Sequence, residues 1–184
     1  MDPDDASFMY NFDPHLHGEP ASPLFRDMAT SVYKTLYDIV SIIVRVGEEH
    51  HPMILLFDPK SGDLLHNKTV SINSTEDKDR LVVAQRMLAS NGAIVCLIFE
   101  SWVVKLPSSS GTPEEVSREF AGRSLAHHPD REEMIVFNFA YKRECMIAFC
   151  DIDRASSTLA RGELRDALDI GVRGRFVRDK KLDS

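Results

Sequence analysis

One carboxylate interrupts an otherwise apolar run: Ala93-Ile94-Val95-Cys96-Leu97-Ile98-Phe99-Glu100-Ser101-Trp102-Val103-Val104 is hydrophobic at both alternating positions until Glu100. Such a run reads as a buried strand, and a charge inside it must be paired, hydrogen-bonded or neutralised by protonation. Alternation puts Glu100 on the face that carries Cys96, Ile98 and Trp102. The richest supply of partners is His127-His128-Pro129-Asp130-Arg131, directly before a second apolar segment from Glu132 to Ala140. Two chemistries fit. In one, Glu100 is a general base or metal ligand beside His128 and Asp130, the outline of a metal-assisted hydrolase. Adjacent histidines point apart on an extended chain, so at most one of His127 and His128 meets Glu100. In the other, Glu100 pairs with Arg131, or Asp130 caps loop amides, and the acid is structural. Buried ion pairs mark a sequence much as active sites do, and the structural reading is preferred.

Trp102, at the end of the same run, either closes a core with its indole N–H on a carbonyl or offers a platform to a partner. Trp102 and Arg131 are therefore binding candidates. A second set is Arg173, Arg175 and Arg178, which with Lys180 and Lys181 make Gly171 to Lys181 basic against Asp179 alone. With Phe176 and Val177 interleaved, that segment suits phosphates or an acidic protein, although a solvated tail is the plainer expectation. His15-Leu16-His17 is a poor metal pair in an acidic terminus, and His50-His51 suits a helix end, where the dipole favours positive charge. No nucleotide-binding glycine loop, nucleophile elbow, His-Glu-x-x-His or Cys-x-x-Cys is present, so no cofactor or metal site is assigned.

The elements that must position these groups follow from the pattern. Phe25, Met28, Val32, Leu36, Ile39 or Val40, and Ile43 recur at helical spacing, which predicts a long helix from Pro23 to about Glu49, capped by Ser22 and stopped by His51-Pro52. Met53 to Phe57 and Leu64 to Ile72 flank Asp58-Pro59-Lys60-Ser61-Gly62-Asp63 and predict a hairpin, with Lys68 suited to an exposed edge. A second helix is expected from Ser74 or Thr75 through Ser90, ended by Asn91-Gly92. After the Glu100 strand, Pro107 to Pro113 reads as a loop, and Glu132 to Ala140 and Glu144 to Ile152 as another hairpin around Tyr141-Lys142-Arg143.

This order predicts an α+β domain: a five-stranded, mainly antiparallel sheet carrying two main helices, in the order α-β-β-α-β-β-β plus a tail. Residues 1–21 are expected to be a flexible amino-terminal segment, 22–152 a single domain, and 153–184 a partly helical or disordered tail. The element order resembles that of the roadblock and profilin-like folds. Glu100-Ser101-Trp102 followed by His128-Pro129-Asp130-Arg131 resembles a pattern in uncharacterised bacterial and phage proteins, which implies a prokaryotic or phage origin and no particular chemistry.

A chain of 184 residues with 43% hydrophobic and 28% charged residues can fill one core without disulfides. Its net charge of −7 argues against non-specific nucleic-acid or anionic-membrane binding by the body of the protein, leaving the basic tail as the one segment suited to nucleic acid. Three cysteines, Cys96, Cys145 and Cys150, all lie in apolar runs and predict free thiols in a reducing compartment; with no signal-peptide pattern, the cytoplasm is expected. The first helix is broadly apolar and the strands are apolar on both faces, more than two helices cover. The expectation is a non-enzymatic protein that binds another macromolecule and forms a homodimer, with Ile39, Ile43, Val44 and Val46 as contact candidates.

Overall fold

The computed structural model describes residues 19–48, 50–72, 75–104, 129 and 131–169. Helix α1 spans Pro23–Arg45. Its start follows from Ser22-Pro23: Ser22 is extended, its hydroxyl accepts from the Phe25 N–H, and the proline ring is preset for the first turn. Phe25, Ala29, Tyr33, Leu36, Val40 and Val44 form its buried face. The helix stops before the expected Glu49. Gly47 adopts a left-handed backbone (φ 78°), and its N–H donates to the Val44 carbonyl at 3.0 Å, a glycine termination that acts ahead of His51-Pro52.

Strands β1 (Met53–Phe57) and β2 (Leu64–Thr69) form the first hairpin, in which Asp58 accepts from the Lys60 and Ser61 amides at 2.7 and 2.9 Å. Helix α2 spans Thr75–Ser90 and ends at Asn91-Gly92, with Gly92 left-handed at φ 91°. Strands β3 (Ile94–Val104), β4 (Arg131–Tyr141) and β5 (Glu144–Asp153) follow, β4 and β5 joined by a tight turn with Lys142 at φ 51°. The class is α+β, as the pattern predicts. The strand count is higher than expected, because two short strands, β6 (Thr158–Leu159) and β7 (Arg165–Asp166), both pair with β5. The described part of the expected tail, 153–169, is therefore strand and turn, not helix.

All strand pairs are antiparallel, and the order across the sheet is β2-β1-β3-β4-β5-β6, with β7 also on β5. One helix lies on each face. Alternation divides the strands accordingly: Ile94, Cys96, Ile98, Ile135, Phe137, Phe139, Met146, Ala148 and Cys150 meet α1, while Val95, Leu97, Phe99, Val136, Ala140 and Ile147 form the core with Leu81 and Ala89 of α2. Within the α2 layer the buried Gln85 side chain donates to the Asn138 Oδ1 and carbonyl at 3.1 and 3.2 Å.

Helix α1 packs chiefly over β4, β5 and β6. Tyr33 Oη donates to the Gly162 carbonyl and Tyr37 Oη to the Leu159 carbonyl, each at 2.6 Å, which fixes one flank of the helix against the segment after β5. Its amino-terminal end is held by two buried carboxylates from distant positions. Glu144 accepts from Ser22 N and Oγ at 2.7 Å each, and Asp166 accepts from Ala21 N at 2.7 Å. Negative charge is favourable at that end of a helix, where the first amides lack partners. Among the described residues no helix is long and apolar enough to cross a membrane.

Candidate functional site

Beyond the carboxyl end of α1, the face that the helix covers runs out of apolar residues and becomes charged. The alternation that buries Ile98 and Cys96 carries on to Glu100 and Trp102 on β3; that of β4 runs back from Ile135 to Glu133 and Arg131; that of β5 runs on from Cys150 to Ile152 and Arg154. Register brings these ends together, with Glu100 opposite Ile135 and Trp102 opposite Glu133. The result is an open depression of about 710 Å³ at this end of the sheet, with Trp102, Arg131, Glu133, Ile152 and Arg154 in its lining.

The partner of Glu100 is Arg154, not Arg131. Arg154 Nη2 donates to Glu100 Oε2 at 2.8 Å and to Glu133 Oε1 at 2.7 Å, while its Nε donates to Glu133 Oε2 at 3.1 Å. Glu100 Oε1 accepts from the backbone N–H of His50 at 3.0 Å. Both oxygens of Glu100 are thus engaged. The Arg154 guanidinium holds the Glu133 carboxyl below its usual range, and the two carboxylates raise the pKa of Arg154 in return. A guanidinium shared by two carboxyl groups ties the turn after β5 to the middle of the sheet.

Arg131 lies over Trp102 instead, its guanidinium carbon 5.0 Å from the ring centroid. A cation on the indole face suits the electron-rich ring and covers the aromatic that the sequence offers as a platform. The remaining candidates, His128 and Asp130 in the hydrolase reading and Arg173, Arg175 and Arg178 in the basic tail, lie outside the described residues. Among the described residues no group of three or more His, Cys, Asp and Glu is placed to hold a metal ion.

The sequence reading passes over Arg154 and Glu133, although a signal for both exists. Each continues the alternating face of its strand, and Arg154 falls from view only because β5 is expected to stop at Ile152 rather than Asp153. The cysteines are buried and none forms a disulfide among the described residues, as expected. Burial pushes Cys145 up to about 12 and raises Cys96 and Cys150, which keeps all three as thiols.

A second surface is apolar. Ile39, Ile42 and Val46 are 52%, 56% and 64% exposed and share one flank of α1, since the spacing i, i+3, i+7 returns to the same side at about 3.6 residues per turn. That flank lies opposite the one tied by Tyr37 to β6, and so faces the β1–β2 side. Met28, further along it, has its sulfur 3.0 Å from where a Cβ on Gly62 of the β1–β2 turn would stand. On that side β2 is the open edge of the sheet, exposed at all six positions, Leu64 and Leu65 included. Of the contact candidates read from sequence, Ile39 and Val46 are exposed and Ile43 partly so, whereas Val44 is core at 1% exposure. Ile42 belongs to the stripe and is missing from that reading.

No protein-family model, no curated protein and no solved structure matches the chain.

Proposed function

We propose that this chain is an interaction protein without catalytic activity, which acts on another macromolecule as a homodimer joined through the exposed flank of α1. One observation carries the reading: Ile39, Ile42 and Val46 form an apolar stripe in solvent on the helix that makes the core of that face. Large apolar side chains gathered on one flank gain free energy when a second surface covers them, at roughly 25 cal/mol per Å² of apolar area. A stripe on a single helix is self-complementary under two-fold rotation, which pairs it with the same stripe on a second copy. The ion cluster at Glu100 supports the non-catalytic part of the reading, because its carboxylates are occupied by Arg154 and a backbone amide.

Sedimentation equilibrium across low to high micromolar concentration tests this. The wild-type chain should dimerise, and Ile42→Asp should weaken association by at least about tenfold, or 1.4 kcal/mol, without lowering the thermal midpoint of the monomer. A wild-type chain that stays monomeric over that range would remove the proposal.

A further inference from the structure

His50 lies in the segment between α1 and β1, only 5% exposed. Both of its ring nitrogens are buried and have no hydrogen-bond partner among the described residues. A neutral imidazole has one N–H to donate and one lone pair to accept with, and folded proteins leave few such atoms unsatisfied in the interior. Among the described residues the ring is thus enclosed without a polar contact of its own. What ties this segment down in polar terms is the main chain: the His50 N–H donates to Glu100 Oε1 at 3.0 Å, and Glu100 is held in turn by Arg154 together with Glu133.

The surroundings oppose a proton on that ring. Burial is the first cause that lowers its pKa, to about 4, and a charge on His51 is the second. Glu48, on the same segment, is exposed, and the Glu100 carboxylate of β3 meets the backbone of His50 rather than its ring. Protonation therefore creates a buried cation with no counterion among the described residues. The chain beside it has a natural pivot: Gly47 is left-handed, and the space where a Cβ would stand is open for 4 Å.

We infer that His50 is an acid-released latch: its neutral ring holds the chain at His50 to Pro52 against the end of the sheet, and protonation expels the ring, breaks the N–H bond to Glu100 and lets the chain beyond Gly47 swing away. The sign follows from linkage. The folded chain binds this proton less readily than the unfolded chain, so the latch is fully closed above the ordinary histidine range and weakens as pH falls towards about 4. The inference is independent of the proposed dimer, since it concerns a segment within one chain.

The test follows the full chain by NMR from pH 7.5 to 3.5, reading the histidine ring resonances and the hydrogen exchange of the His50 amide. The latch predicts that the His50 ring titrates at least one pH unit below the ordinary histidine range. It also predicts that protection of the His50 amide, corrected for intrinsic exchange, falls at least tenfold across that titration while β3 and β4 amides stay protected. His50→Phe, which fills the pocket with a ring that takes no proton, should keep that protection at low pH. Titration of His50 within the ordinary histidine range, or an equal loss of protection in His50→Phe, would overturn the inference. The ring titration of the wild-type chain decides the matter if the variant does not fold.

Discussion

Arg154 decides what Glu100 does. An acid in an apolar strand requires a partner, and that requirement is legible in the chain from Glu100 alone. The identity of the partner is not, because Arg131 stands next to a cluster that attracts attention in sequence whereas Arg154 stands 54 positions away and reaches Glu100 only through the pairing of β3, β4 and β5. The correction changes the expected magnitude as well. Were Glu100 the sole counterion of a buried guanidinium, its removal would cost about 3–5 kcal/mol. Arg154 is 40% exposed and keeps both hydrogen bonds to Glu133, so solvent and the second carboxylate compensate most of the loss. Glu100→Ala should lower the free energy of unfolding by about 1 kcal/mol in urea titration, including the lost acceptor for the His50 amide. A loss above about 3 kcal/mol would show that the cluster behaves as a buried pair despite its exposure.

At the scale of elements, the start of α1 shows what a sequence carries and what it withholds. Ser22-Pro23 announces the helix, and the spacing from Phe25 to Val44 announces its buried face. The carboxylates that hold its first turn are invisible in the pattern: Glu144 is 122 positions from Ser22, and Asp166 is 145 from Ala21. Asp166 also accepts from the Leu168 amide at 2.9 Å and lies 3.7 Å from the guanidinium of Arg26, all while 3% exposed. Asp166→Ala removes the acceptor of a buried N–H and leaves that donor unsatisfied. It should therefore cost about 2–3 kcal/mol in chemical denaturation, with amide protection lost first at residues 21–26. Asp166→Asn keeps an oxygen in place and should cost less. Equal losses for the two variants would mean that the negative charge, rather than the hydrogen bonds, stabilises the helix end.

At the scale of the whole molecule, two hairpins, two helices and an α+β class were all readable, because runs of five or more residues show their alternation or helical spacing. Strands β6 and β7 were not, since two residues carry no period. They nevertheless complete the fold: Leu159 lies in the α1 core, Ala167 in the α2 core, and the carbonyls of Leu159 and Gly162 accept from the two tyrosines of α1. Close packing sharpens the point at Gly162, where a Cβ would stand 1.9 Å from the Phe149 carbonyl oxygen, so any larger residue there must push β5 and the returning segment apart. These contacts come from residues 153–169, beyond the boundary at 152 that the sequence suggests, and truncation measures what they contribute. Removing 171–184 should leave the thermal midpoint within about 2 °C, because the sequence of that segment lacks the periodicity of a packed element. Removing 153–184 withdraws Arg154, Leu159, Gly162 and Asp166 together, a loss of several kcal/mol against a total stability of roughly 5–15 kcal/mol. That shorter chain should show no cooperative melting transition by near-ultraviolet circular dichroism. A cooperative transition in it would mean that β1 to β5 and the two helices form a complete core by themselves, and that the returning segment only decorates it.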